Sequence, residues 1–117
     1  MENRIAYLVV DATDAERLAT FWADVLGWRI VRRGSYWLTI GHEDGPLEIN
    51  FRSVPDQPKG GKNRLHLDIK PVRRSQADEL DRLLRLGARK VDVGQRPDAS
   101  WFVLADPEGN EFCLCVP

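Results

Sequence analysis

The chain has 117 residues, enough for one domain, and folding at this size buries roughly two-thirds of the surface the unfolded chain exposes. Hydrophobic residues make up 43% of it and charged residues 30%, proportions that exclude disordered, fibrous and membrane classes. The formal net charge of -1 excludes the electrostatic footprint of a protein that binds nucleic acid or an anionic membrane.

Glu2 and Arg4 precede an apolar run, Ile5 to Val10, too short for a signal-peptide core or a membrane span, so a cytoplasmic location is expected. In this run Ile5, Tyr7 and Val9 alternate with Ala6, Leu8 and Val10, which makes both faces apolar and predicts a central strand covered on each side. Asp11 to Asp14 is a turn, and Thr13-x-x-Glu16 reads as a capping box at a helix start. Leu18, Phe21, Trp22, Val25 and Leu26 follow at helical spacing, and Gly27 is the C-terminal stop.

Arg29 to Val31 begins a second strand, Tyr36 to Ile40 a third and Leu47 to Phe51 a fourth, with turns at Arg33-Gly34-Ser35 and Glu43-Asp44-Gly45-Pro46. In the last strand Glu48, Asn50 and Arg52 share one face and Leu47, Ile49 and Phe51 the other. A helix covers the apolar face, and the polar face turns to a cavity.

Residues 54–63 hold two prolines and two adjacent glycines without apolar periodicity, the composition of a linker between modules of about 3–53 and 64–117. Beyond it, Leu65, Leu67 and Ile69 alternate with Arg64, His66, Asp68 and Lys70. Ser75-x-x-Asp78 caps a second helix with a stripe of Ala77, Leu80, Leu83 and Leu84, closed by Gly87. Strands over Lys90–Val93, Trp101–Leu104 and Phe112–Val116 finish the chain, with turns at Gln95 to Asp98 and Asp106 to Asn110.

Leu86-Gly-Ala-Arg-Lys-Val91 repeats Leu26-Gly-Trp-Arg-Ile-Val31, and each copy closes a helix and opens a strand. The order β-α-β-β-β therefore occurs twice, and the predicted fold class is α+β, a single domain of two tandem modules. Cys113 and Cys115 lie two apart on one strand, poor geometry for a disulfide, so free thiols in a reducing compartment are expected.

The paired modules, the helix text Leu18-Ala-Thr-Phe-Trp-Ala-Asp-Val-Leu-Gly27, the segment Asn63-Arg-Leu-His-Leu-Asp68 and the closing Asp106-Pro-Glu-Gly-Asn-Glu-Phe-Cys113 resemble the vicinal oxygen chelate superfamily of glyoxalases, bleomycin-resistance proteins and dioxygenases. They are most similar to its glyoxalase-like branch, and the resemblance covers essentially the whole chain. It implies curved mixed sheets around a small-molecule cavity, helices outside, and a homodimer. In metal-using relatives the ligands come from the first and fourth strands of each module, positions held here by Tyr7, Glu48, His66 and Cys113. Glu48 and His66 match. Tyr7 stands where His or Gln is usual and Cys113 where Glu is usual, a mixture of phenol and soft thiolate that departs from a hard-dication site.

The expected ligand-binding residues are Tyr7, Trp37, Glu48, Asn50, His66, Trp101 and Cys113. His66 either ligates a metal with Glu48 or hydrogen-bonds Glu48 or Tyr7, and the Glu48 and His66 pair is the candidate for acid–base catalysis. Trp37 and Trp101, equivalent in the repeat, either line the cavity or fill core. Cys113 and Cys115 point inward as small hydrophobes or reactive thiols. Arg52, Arg64 and Asp68 lie on the same faces and either bind an anionic group or pair with one another, and the basic loop Lys59 to Lys62 is solvated surface.

Two functions follow. One is a metal-independent, bleomycin-resistance-type binder of a small molecule, with no cofactor. The other is a metal-dependent lyase, isomerase or dioxygenase acting on a small carbonyl or vicinal-oxygen substrate with Glu48 and His66 as ligands. A third possibility is a domain that serves assembly alone.

Overall fold

The computed structural model describes residues 2–55 and 63–117. These form two compact units, each a helix with a four-stranded mixed sheet. The central part of the expected linker, residues 56–62 with the basic loop Lys59 to Lys62, lies outside the described residues.

The first unit runs β1 (Leu8–Ala12), α1 (Ala15–Leu26), β2 (Arg29–Arg33), β3 (Trp37–Gly41) and β4 (Glu48–Ser53). Its sheet order is β1-β4-β3-β2, with β1 parallel to β4 and the other pairs antiparallel. The helix packs its apolar stripe on β3 and β4, which buries Leu18, Ala19, Trp22 and Val25 against Leu38, Ile40, Ile49 and Phe51. Leu18 and Phe51 are 0% and 1% exposed, and burying a side chain of this size contributes about 1.5–3 kcal/mol.

Two expectations change here. The strand expected over Ile5 to Val10 starts at Leu8, and it is an edge strand rather than a central one. Its ladder runs parallel to β4 from Leu8↔Ile49 to Ala12↔Ser53, so Ile5 and Tyr7 precede the paired segment and are exposed, as is Val9 on the face away from α1. The helix cap is Asp14, not Thr13: Asp14 Oδ1 accepts from Arg17 N at 3.1 Å. Ala15, next in the chain, donates its amide to Ser53 Oγ at 3.1 Å, which ties the helix start to the end of β4. Gly27 closes α1 at φ 69, the left-handed conformation glycine adopts without steric cost. Trp37 packs over Gly34, where an added Cβ would come within 2.6 Å of indole Cε2.

The second unit runs β5 (Asp68–Ile69), α2 (Gln76–Leu86), β6 (Arg89–Lys90), β7 (Phe102–Ala105) and β8 (Glu111–Leu114), in sheet order β5-β8-β7-β6 with β5 parallel to β8. Ser75 caps α2 as the sequence indicates, its Oγ accepting from Asp78 N at 3.1 Å. The strands are shorter than expected. Leu65 is 83% exposed and precedes the paired residues. After Val91, whose amide still donates to Val103 O, Asp92 and Gln95 accept from Gly94 N and Val93 N, so local turn bonds replace the ladder.

The turn Asp106 to Asn110 is self-contained. Asp106, 2% exposed, accepts from Glu108 N and Asn110 N at 2.9 Å each and from the Asn110 side chain, which fixes the β7–β8 hairpin. On α2, Glu79 is 4% exposed and held by both Arg82 Nε and Nη2 at 2.8 Å and by Arg74 at 3.3 Å. A buried carboxylate requires such partners.

Candidate functional site

Strand alternation builds a cavity wall on the second unit. Phe112 and Leu114 of β8 are 1% and 0% exposed, so Glu111, Cys113 and Cys115 point to the other side, where a cavity of about 600 Å³ opens. In register across the sheet, Cys113 stands between Asp68 of β5 and Val103 of β7. The segment after β6 adds Val93, Gly94 and Gln95, and Trp101 lies at the entry to β7. Gln95 Nε2 reaches back to Val91 O, and Gln76 at the start of α2 donates to Ser100 O and Leu114 O. The wall is therefore fixed by bonds to its own backbone.

A ring nitrogen of His66, a carboxylate oxygen of Asp68 and Sγ of Cys113 lie within 4.8 Å of one another. His66 Nε2 stands 3.1 Å from Asp68 Oδ1. The sequence pointed to Glu48 or Tyr7 as the partner of His66; the partner at this distance is Asp68. Residues i and i+2 of an extended segment share a face, and the His-x-Asp spacing is the signal that identifies it. Burial, and then the negative charge of Asp68, push the Cys115 thiol up from its ordinary value, with Lys70 opposing. Neither cysteine is in a disulfide.

The four candidates of the first unit form a different arrangement. Glu48 forms an ion pair with Arg32, and the Glu48 hydrogen bond pushes the guanidinium pKa up, opposed by burial and helped to a smaller extent by the Glu48 charge and by Tyr7. Asn50 donates to Thr39 Oγ1 at 2.9 Å. Thr39 is 1% and Asn50 8% exposed, and Asn50 Oδ1 is buried without a hydrogen-bond partner. Trp37 is half-buried over Gly34.

Sequence reasoning missed Arg32 because a β-bulge places it. Ile30 pairs with Ile40, yet Arg32, rather than Val31, pairs with Thr39. The extra residue turns Arg32 onto the face of Thr39, Asn50 and Glu48. Glu48 and His66, the expected acid–base pair, thus each have a charged partner inside their own unit. Arg52 and Arg64 are exposed.

The duplicated β-α-β-β-β frame, a helix with a four-stranded mixed sheet in each unit, defines the class of α+β folds built from paired modules. Within that class the chain belongs to the glyoxalase-like domain family, whose profile matches residues 7–115, in the vicinal oxygen chelate superfamily. No curated protein is similar to it by sequence. Among solved structures, the fosfomycin resistance protein FosX from Mesorhizobium loti is similar at 16% identity and a TM-score of 0.69, covering 100% of this chain and 94% of that one. The antibiotic binding protein TnmS3 from Streptomyces sp. CB03234 gives 20% identity and 0.64, covering 99% and 97%. FosX from Listeria monocytogenes, solved with Mn(II) and a dihydroxypropylphosphonic acid, gives 13% identity and 0.71, covering 98% and 90%. At these identities the likeness is one of fold.

Proposed function

We propose that the protein is a small-molecule binding protein of the bleomycin-resistance type that works without a metal, with its ligand seated in the cavity of the second unit. The observation that carries this reading is the cavity itself: about 600 Å³ with Val93, Val103 and Trp101 as apolar wall and His66, Asp68 and Gln95 as polar points, the composition of sites that hold drug-sized compounds. The antibiotic-binding neighbour of the same fold supports it. Trp101, His66 and Cys113 are the contacts proposed here.

The donor set does not fit the hard dication of the manganese-bound neighbour. Glu48 is already neutralised by Arg32, and Cys113 offers a thiol where a carboxylate would suit such an ion. A second reading, a metal-assisted lyase, isomerase or dioxygenase, draws on the grouping of His66, Asp68 and Cys113, donors that suit a borderline ion such as zinc. We propose a homodimer in the cytoplasm; free thiols at positions 113 and 115 favour a reducing compartment. Among the described residues no helix is long and apolar enough to cross a membrane.

The test is tryptophan fluorescence against a panel of aromatic compounds before and after chelator treatment. Saturable quenching that survives the chelator and falls in Trp101→Ala is the expected result. Binding that vanishes with chelator and returns with zinc transfers the case to the metal reading.

A further inference from the structure

We infer, resting on the small-molecule reading above, that Cys113 is a nucleophile and that the second unit's cavity captures conjugated carbonyl compounds covalently, by addition of the Cys113 thiol to their carbon–carbon double bond. A ring nitrogen of His66, a carboxylate oxygen of Asp68 and Cys113 Sγ lie within 4.8 Å of one another, and all three residues line the cavity. Backbone and side-chain pairings hold them there. Cys113 stands in register with Asp68 and donates its amide to Leu67 O at 2.9 Å, and His66 Nε2 is 3.1 Å from Asp68 Oδ1. A thiol, an imidazole beside it and a carboxylate against the imidazole are the parts of an activated nucleophile: the ring takes the thiol proton, and the carboxylate steadies the ring and faces the charge that forms on it. Such groups often stand looser than hydrogen-bond reach before a ligand arrives.

The step balances within the chain and its ligand. Sulfur forms a bond to the β-carbon of the acceptor as the carbon–carbon π bond breaks, the electron pair moves to the carbonyl oxygen, and the proton taken by His66 returns to the α-carbon. No oxidant or co-reactant is needed, and one protein molecule is consumed per ligand. The wall suits a planar acceptor: Trp101, 39% exposed, offers a flat face, and Val93 and Val103 supply apolar surface beside it. Cys115 provides an internal contrast. It lines the same cavity two residues further along the same face, yet it lies outside the group of three, and burial and the Asp68 charge push its thiol up, which lowers the fraction present as the reactive thiolate. At Cys113 the same carboxylate is faced by the His66 ring. One wall thus carries a thiol grouped with a base and a thiol that is not.

The experiment follows alkylation of the full-length protein by peptide mass spectrometry, after chelator treatment so that no ion masks the thiol. The probes are N-ethylmaleimide and N-phenylmaleimide, conjugated carbonyl compounds of small and aromatic shape. Cys113 is expected to react about tenfold or more faster than Cys115 with either probe, within the range a positioned base supplies, and its rate with N-phenylmaleimide to saturate with concentration, as binding before reaction requires. His66→Ala, at an exposed position (side chain 49%), is expected to remove most of that advantage, and added imidazole to restore part of it, which a structural loss alone would not permit. Asp68→Asn is expected to slow Cys113 and Asp68→Glu to recover part of the rate, whereas Glu16→Gln, which removes an exposed carboxylate of the first unit, leaves it unchanged. A Cys113 no more reactive than Cys115, or one whose rate is unaltered in His66→Ala, overturns the inference and leaves the binding reading, which tryptophan quenching measures separately, standing. Absence of quenching by every compound of the panel brings down the binding reading itself, and the inference with it.

Discussion

The two units share an order of elements and differ in how their polar faces are used. In the first, charge and amide groups are paired with one another: Arg32 with Glu48, and Asn50 with Thr39. In the second, His66, Asp68 and Cys113 converge beside a cavity. The cores differ in the same sense. Helix α1 buries an apolar stripe that includes Leu18, Phe21, Trp22 and Val25, whereas α2 buries Glu79, Leu80 and Leu83. A duplicated backbone thus supports two solutions: an apolar helix-on-sheet layer, and a lighter layer whose sheet face is open to a cavity.

The largest effect that sharpens this contrast is expected from Phe51→Ala. Phe51 is 1% exposed beneath α1, and truncating a phenylalanine in such a core costs about 3–5 kcal/mol. Chemical denaturation should show the loss, while ligand affinity of the protein that remains folded stays within about twofold, since Phe51 belongs to one unit and the residues lining the cavity to the other. An equally large fall in affinity would mean that the first unit shapes the cavity.

A smaller, opposite pattern is expected at the two units' sites. Trp101→Ala should weaken binding of an aromatic ligand by about tenfold, the order of one lost stacking or cation–π contact, with a stability change of about 1 kcal/mol or less because the ring is 39% exposed. Glu48→Gln removes an ion pair whose side chains are 47% and 28% exposed, and exposed pairs contribute about 0–1 kcal/mol. Affinity should be unchanged. If Glu48→Gln abolishes binding and Trp101→Ala does not, the ligand sits on the first unit.

Some of this was readable from residue order and some was not. Helix ends were, because Gly27 and Gly87 stop the apolar stripes and Ser75 has a clear capping spacing. The cap of α1 was not: Thr13 and Asp14 both carry a suitable oxygen, and the contact of Ala15 with Ser53, 38 residues away, sets where the helix starts. The edge position of β1 was hidden for a similar reason. An apolar run describes what a strand presents, whereas its parallel pairing with β4 is a long-range fact. Cys113 on the cavity face followed from alternation alone. Arg32 did not, since the bulge before it reverses the parity that alternation assumes. Asp68 was visible as a same-face neighbour of His66, and its place beside Cys113 became definite only when β5 was set beside β8.

The smallest net change, that of a double replacement, bears on why the first unit's polar face is there at all. Asn50 is 8% exposed, and its Oδ1 accepts nothing while Nδ2 donates to Thr39. A buried acceptor without a donor costs on the order of 1–3 kcal/mol. If the pair is purely structural, replacing both partners by apolar groups of similar shape removes the orphan and its partner together. Thr39→Val with Asn50→Leu should then leave stability within about 1 kcal/mol of the parent or raise it, while Thr39→Val alone, which strands the Asn50 amide, lowers it by about 1–2 kcal/mol. Paired melting curves of the three variants supply the coupling energy. A double variant that is stable but no longer binds the ligand would place Asn50 in the binding surface, and the division between a stabilising unit and a binding unit would then have to be abandoned.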